Sequence, residues 1–102
     1  MVIRQWSGRA SPGNRGAYPA HFRQNVLPAL RGLPGFRGAQ LLEREAEGLV
    51  EFLVLTRWES MDAVRRFAGP EPDRAVVEPE AEAALVAFDR EVLHYAVVDE
   101  AP

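Results

Sequence analysis

Cysteine is missing from all 102 residues, which removes disulfides, thiolate chemistry and cysteine-held metals or clusters. Lysine is missing too, since all twelve basic residues are arginine. That excludes Schiff-base chemistry at a side-chain amine and leaves cations suited to bidentate anion contacts and buried pairs. As a pattern, the lysine deficit reads as compositional bias. There is no surplus of positive charge: the formal net charge of -3 gives no basic stripe of the kind nucleic-acid recognition uses. No apolar run reaches the length of a membrane span. Met1 leads straight into an apolar strand without the charged and apolar regions of a signal peptide, so a cytoplasmic location is expected. Dinucleotide, phosphate-loop and zinc-protease patterns are absent. With two histidines far apart in sequence, no metal site, no cofactor and no serine–histidine–acid set is expected.

What the chain does contain is clearest from Phe52 to Phe67, FLVLTRWESMDAVRRF. Val50, Phe52, Val54, Thr56 and Trp58 alternate with Glu51, Leu53, Leu55 and Arg57 at a strand's period of two, and both rows are largely apolar. From Ser60 the period changes: Met61, Val64 and Phe67 recur every third residue, as one stripe of a helix does. A first strand is expected over Val2–Ser7, with Arg4 and Trp6 on one face, followed by a polar loop from Gly8 to Gly16. Tyr18, Phe22, Val26 and Leu30 form the apolar stripe of a first helix. Pro28 requires a kink or a change of helical segment near Gln24–Val26, because it removes a donor and clashes one turn back. A second strand is expected over Phe36–Arg44 and a hairpin loop over Glu45–Gly48. Pro72 and Pro79 should divide the next stretch into two short helical pieces, with Ala81, Leu85 and Phe88 buried and Glu78, Glu80 and Glu82 facing water. A last strand should cover Glu91–Val98.

The resulting β-α-β-β-α-β order in a single domain over 1–102 is the ferredoxin-like α+β plan, with a four-stranded antiparallel sheet. Helices on one side leave the other sheet face open. Leu53 and Leu55 make that face partly apolar, so a second subunit is expected to cover it in a two-fold homodimer.

Pro34-Gly35-Phe36 with Gly38, the segment LVEFLVLTRWES, and the terminal strand carrying His94 and Tyr95 resemble the antibiotic biosynthesis monooxygenase family, over about residues 2–98. The resemblance implies a dimeric α/β barrel with a ligand pocket between each sheet and its helices. It also implies activities that include cofactor-independent oxygenation of polycyclic phenols or anthrones and haem degradation. The haem-degrading branch resembles this chain at Trp58-Glu59-Ser60, but its catalytic tryptophan and haem-ligating histidine fall at Phe67 and Val77. Its first-strand asparagine falls near Gln5 or Trp6. Haem degradation by that arrangement is therefore not expected.

His94 and His21 are the two groups whose unperturbed pKa suits general base catalysis near neutrality. His94, in the last strand, is the candidate base; it would generate an enolate or phenolate, which reacts with oxygen more readily than its conjugate acid. His21 precedes the helix's apolar stripe by one residue and reads as a surface or rim residue. Tyr18 is the candidate orienting group, and Trp6, Phe22, Trp58 and Arg4 are candidate substrate-binding residues. Trp58 and Trp6 are equally able to serve as packing. Two functions follow: a cofactor-independent monooxygenase acting on a small aromatic or polyketide-like molecule, or a dimeric ligand-binding domain that uses the same pocket without chemistry.

Overall fold

The computed structural model describes residues 1–102. Its sheet is organised by strand β3, Leu49–Trp58, in which every even-numbered residue is buried and every odd-numbered one half-buried. β3 pairs antiparallel with β1, Val2–Ala10, on one side and with β2, Phe36–Ala46, on the other. The far edge of β1 takes two short strands, β4 at Ala87–Phe88 and β5 at Leu93–Ala96. The spatial order is thus β2-β3-β1-β4, with β5 also on β1, an open antiparallel sheet of ferredoxin-like plan.

The helices cover the even-numbered face. Helix α1 (Ala17–His21), a π-turn (Phe22–Val26) and α2 (Leu27–Arg31) follow one another without a break. Pro28 has no N–H to offer the carbonyl one turn back, and the chain widens locally so that Leu27 N–H bonds to Phe22 O, the i→i+5 bond of a π-bulge. The change of helical segment expected from Pro28 is this turn. Helix α3 (Met61–Ala68) starts at Ser60, whose hydroxyl accepts from Ala63 N–H at 3.2 Å and satisfies one orphan donor of the first turn.

Two core clusters result. Tyr18, Phe22, Val50, Phe52, Val54, Ala81 and Ala84 belong to one; Leu30, Trp58, Ala63 and Val64 make the other. Phe52 and Trp58 are fully buried, each contributing roughly 1.5–3 kcal/mol relative to exposure. Trp58 donates its indole N–H to the Thr56 hydroxyl at 2.8 Å and stacks on Phe67 at 5.2 Å.

Several boundaries differ from expectation. β1 continues through Gly8 to Ala10; Gly8 is a strand residue over which Leu85 packs, since an added Cβ would lie 2.8 Å from its methyl group. The β2–β3 connection shrinks to a tight turn at Glu47–Gly48, both with positive φ. One short helix, α4 (Pro79–Ala84), stands where two were expected. The preceding segment is held by Val92 N–H to Asp73 O and Ala75 N–H to Arg90 O, both 2.8 Å, and these bonds tie it to the last strands instead of to itself. α4 ends before Leu85 because Val86 N–H and Asp89 N–H bond to Arg9 O and Ser7 O. The chain is thereby drawn onto the edge of β1 as β4, which takes Phe88 out of the expected helix, and the expected last strand is confined to β5, Leu93–Ala96.

Candidate active site

Between the sheet and the helices lies a cavity of about 120 Å³. Arg4 and Trp6 of β1 and Val54 and Thr56 of β3 form its sheet side. Tyr18, His21, Val26 and Leu30 come from the α1–α2 segment, Phe67 from α3, and Val76, Val77 and Glu78 from the segment before α4. Most of this lining is apolar, and its polar groups fall into two sets.

One set joins Tyr18, His21 and Glu78. Tyr18 and His21 are both buried, with ring centres 6.0 Å apart. Burial, and secondarily the Glu78 carboxylate, push the Tyr18 phenol well above its ordinary pKa, so it remains a neutral O–H donor. Asn25 Nδ2 lies 3.1 Å from His21 Nδ1. With the Asn25 amide in this orientation its nitrogen donates, Nδ1 is the acceptor and the ring proton resides on Nε2. That Nε2–H is buried without a hydrogen-bond partner; the nearest carboxylate oxygen, of half-exposed Glu78, is 3.8 Å away.

The second set is centred on Arg4, 6% exposed. Its Nη1 donates to Pro72 O and reaches His94 Nε2 at 3.0 Å, while Nη2 donates to Arg74 O at 3.0 Å. Its guanidinium also lies 5.5 Å from the Phe67 ring centre, within cation–π range. Desolvation lowers the Arg4 pKa to about 10, with Asp73 opposing; the group is still a cation at neutral pH. Because guanidinium only donates, His94 Nε2 must accept. Its Nδ1–H then points to Asp73 Oδ1 at 3.2 Å. Burial, with Arg4 adding to it, lowers the His94 pKa against the opposing pull of Asp73.

Arg4, Trp6 and Tyr18 therefore share one cavity wall, with Trp6 and Tyr18 ring centres 5.7 Å apart. Phe22 and Trp58 do not line it. Phe22 belongs to the core cluster around Tyr18, and Trp58 supports the cavity through Phe67. His94 is also outside the lining, engaging Arg4 from β5. His21, expected at the surface or rim, is instead buried in the wall. Tyr18 and His21 are three apart within α1, and the π-turn widens the next step to five, so cavity residues fall at 18, 21, 26, 29 and 30 instead of following a spacing of four. Glu78 faces the cavity as well as water. For His21 the available signal was its i,i+3 spacing from Tyr18, which puts the two on one helix face; Glu78 had no such signal. Phe67 and Val77, where the haem-degrading branch carries its tryptophan and histidine, both line the cavity.

No three histidine, aspartate or glutamate side chains converge in a metal-binding arrangement, and no helix is long and apolar enough to cross a membrane. Comparison with known proteins matches residues 1–79 to the family described as antibiotic biosynthesis monooxygenase. No curated protein matches the chain. Among solved structures, a Bacillus cereus protein described as a candidate antibiotic biosynthesis monooxygenase superposes with TM-score 0.68 at 18% identity, covering 99% of this chain and 96% of its own. SnoaB, a cofactor-independent oxygenase from Streptomyces nogalater, gives 0.63 at 20% identity over 99% and 95%. The haem-degrader MhuD of Mycobacterium tuberculosis, with two haems bound in its active site, gives 0.60 at 26% identity over 100% of both chains.

Proposed function

Because the chain belongs to the antibiotic biosynthesis monooxygenase family, we propose that it is a cofactor-independent monooxygenase for a small aromatic or polyketide-like substrate. One observation carries this reading: the buried, unpartnered Nε2–H of His21 on the wall of an apolar cavity. An unsatisfied buried donor costs on the order of 1–3 kcal/mol, a cost that a ligand oxygen placed there removes. The Tyr18 O–H is the second donor on that wall. Together they favour the enolate or phenolate form of a bound carbonyl or phenol, stabilising charge where it develops.

The Glu78 carboxylate, on the same wall, takes the proton. The substrate anion supplies the electrons to oxygen: a C–O bond forms at the deprotonated carbon to give a hydroperoxide, with the proton returned to the distal oxygen. Loss of water from this CH–OOH group leaves a new C=O. For a methylene substrate the balance is CH₂ + O₂ → C=O + H₂O, with no external reductant. At the position where the haem-degrading branch carries its ligand, Val77 has no side-chain lone pair to offer iron.

Oxygen uptake with a panel of phenols, quinols and anthrones tests the proposal. One O₂ consumed per product carrying one added oxygen is expected. Glu78→Gln should lower kcat by roughly 10²–10⁴-fold, the range for a general acid–base group. Tyr18→Phe should lower kcat more than it weakens binding. Ligand binding without protein-dependent oxygen uptake anywhere in the panel would instead identify a non-catalytic ligand-binding domain.

A further inference from the structure

We propose that Arg4 is a carboxylate-docking residue, and that the cavity takes an aromatic acid held by that carboxylate. This rests on the cavity being the substrate site, as in the reading above, but not on the oxygen chemistry.

A guanidinium has five N–H donors. Pro72 O and His94 Nε2 occupy both donors of Nη1, and Arg74 O occupies one of Nη2. The second Nη2–H and the Nε–H make no hydrogen bond within the protein, although Arg4 is 94% buried and lines the cavity. Two donors in a fixed fork match the two oxygens of a carboxylate.

The charge around Arg4 is also incomplete. Its nearest carboxylate, Asp73, is 79% exposed and touches it only through His94. The Asp73–His94–Arg4 chain therefore fixes the orientation of the guanidinium without placing a counter-charge against it. A cation taken out of water is strongly stabilised by an opposite charge in direct contact, and the apolar cavity provides none.

Glu78 sets the direction of binding. It lines the same cavity among the Tyr18 and His21 side chains and repels a carboxylate, so the acid group settles at Arg4 and the reacting oxygen at His21. Trp6 lies between: it follows Arg4 by two residues on the same strand face, about 6.6 Å along the strand, and its ring approaches Tyr18. A planar ring is the shape that fills this interval.

Titration calorimetry at pH 7.5 with 2-naphthoate and 2-naphthamide, probes of nearly equal shape that differ in charge, tests the assignment. The acid is expected to bind the unmodified protein at least tenfold more tightly than the amide. In Arg4→Met that preference should fall below threefold, while Arg4→Lys should retain an intermediate preference. If Arg4→Met does not fold, the comparison on the unmodified protein decides alone. Equal affinity, preference for the amide, or no binding of either probe overturns the proposal. Preference for the acid without oxygen uptake on any substrate would leave the docking residue in place and remove the oxygenase reading.

Discussion

Neither histidine sits where its sequence neighbourhood suggests: His21 lines the cavity wall, and His94 stands behind Arg4. His94 sits in a strand row with Arg4 and Thr56, since Arg4 pairs with His94 on β5 and with Thr56 on β3. That row faces the helices, as the period-two pattern requires. What the pattern could not show is that Arg4 would take the ring's lone pair. The consequence is a pH dependence. Burial and Arg4 lower the His94 pKa below its ordinary value of 6.5, so the unfolded chain binds this proton at a higher pH than the folded protein does. The stabilisation is complete above about pH 6.5 and is lost as pH falls from there through the lowered folded value. Urea midpoints at pH 7.5 and 5.5 should fall further for the unmodified protein than for His94→Gln. Identical losses in the two would show that His94 is not held neutral by Arg4.

At the scale of elements, the strand-to-helix handover at Trp58–Ser60 was fully legible. Alternation ends at Trp58, and Ser60 both stops the strand and caps α3. Elements whose ends depend on distant hydrogen bonds were not. β1 outruns its pattern and a short strand replaces the end of the expected helix because Ser7 O and Arg9 O recruit Asp89 and Val86 from about eighty residues away, a contact without local signature. The Leu33–Phe36 turn falls between these cases. Its sequence marks a turn, and the structure adds why Gly35 is needed: φ is +82°, Gly35 O accepts from Glu59 N–H at 2.8 Å, and an added Cβ would meet Ala63 Cβ at 2.5 Å. Gly35→Ala should therefore lose about 1–2 kcal/mol from left-handed backbone strain and a further ~1–3 kcal/mol from the clash between turn and helix α3. Gly48, at φ +77° with open space around it, isolates the first contribution. Denaturant unfolding of the two alanine variants should show Gly35→Ala to be clearly the less stable. Equal midpoints would mean that α3 moves aside freely and that the close approach has no structural weight.

The whole molecule has one face of its sheet covered and one face open. All four helices lie over the even-numbered residues of β3. On the other side, register brings Ile3 beside Tyr95, Gln5 between Leu55 and Leu93, and Leu42 beside Leu53. Leu42, Leu93 and Tyr95 are 43%, 54% and 51% exposed, and the half-buried Leu53 and Leu55 join them into one apolar surface. Large contiguous patches of this kind are uncommon on monomers. The polar groups on this face stand largely at its margin, with Arg57 paired to Glu100 and Arg44 to Glu51, the distribution of an apolar centre with a charged rim. Two copies related by a two-fold axis are self-complementary across such a surface, and sedimentation at micromolar concentration should give about twice 11.4 kDa. Leu55→Glu places a charge at the centre of the patch, where desolvation without a partner opposes association. Its side chain points away from the cavity, so the variant should sediment as a monomer with the cavity wall intact and with naphthoate binding retained. An unmodified protein that stays monomeric at that concentration would overturn the dimer. A Leu55→Glu protein that remains dimeric would place the interface elsewhere, on the helical face or along the free edge of β2.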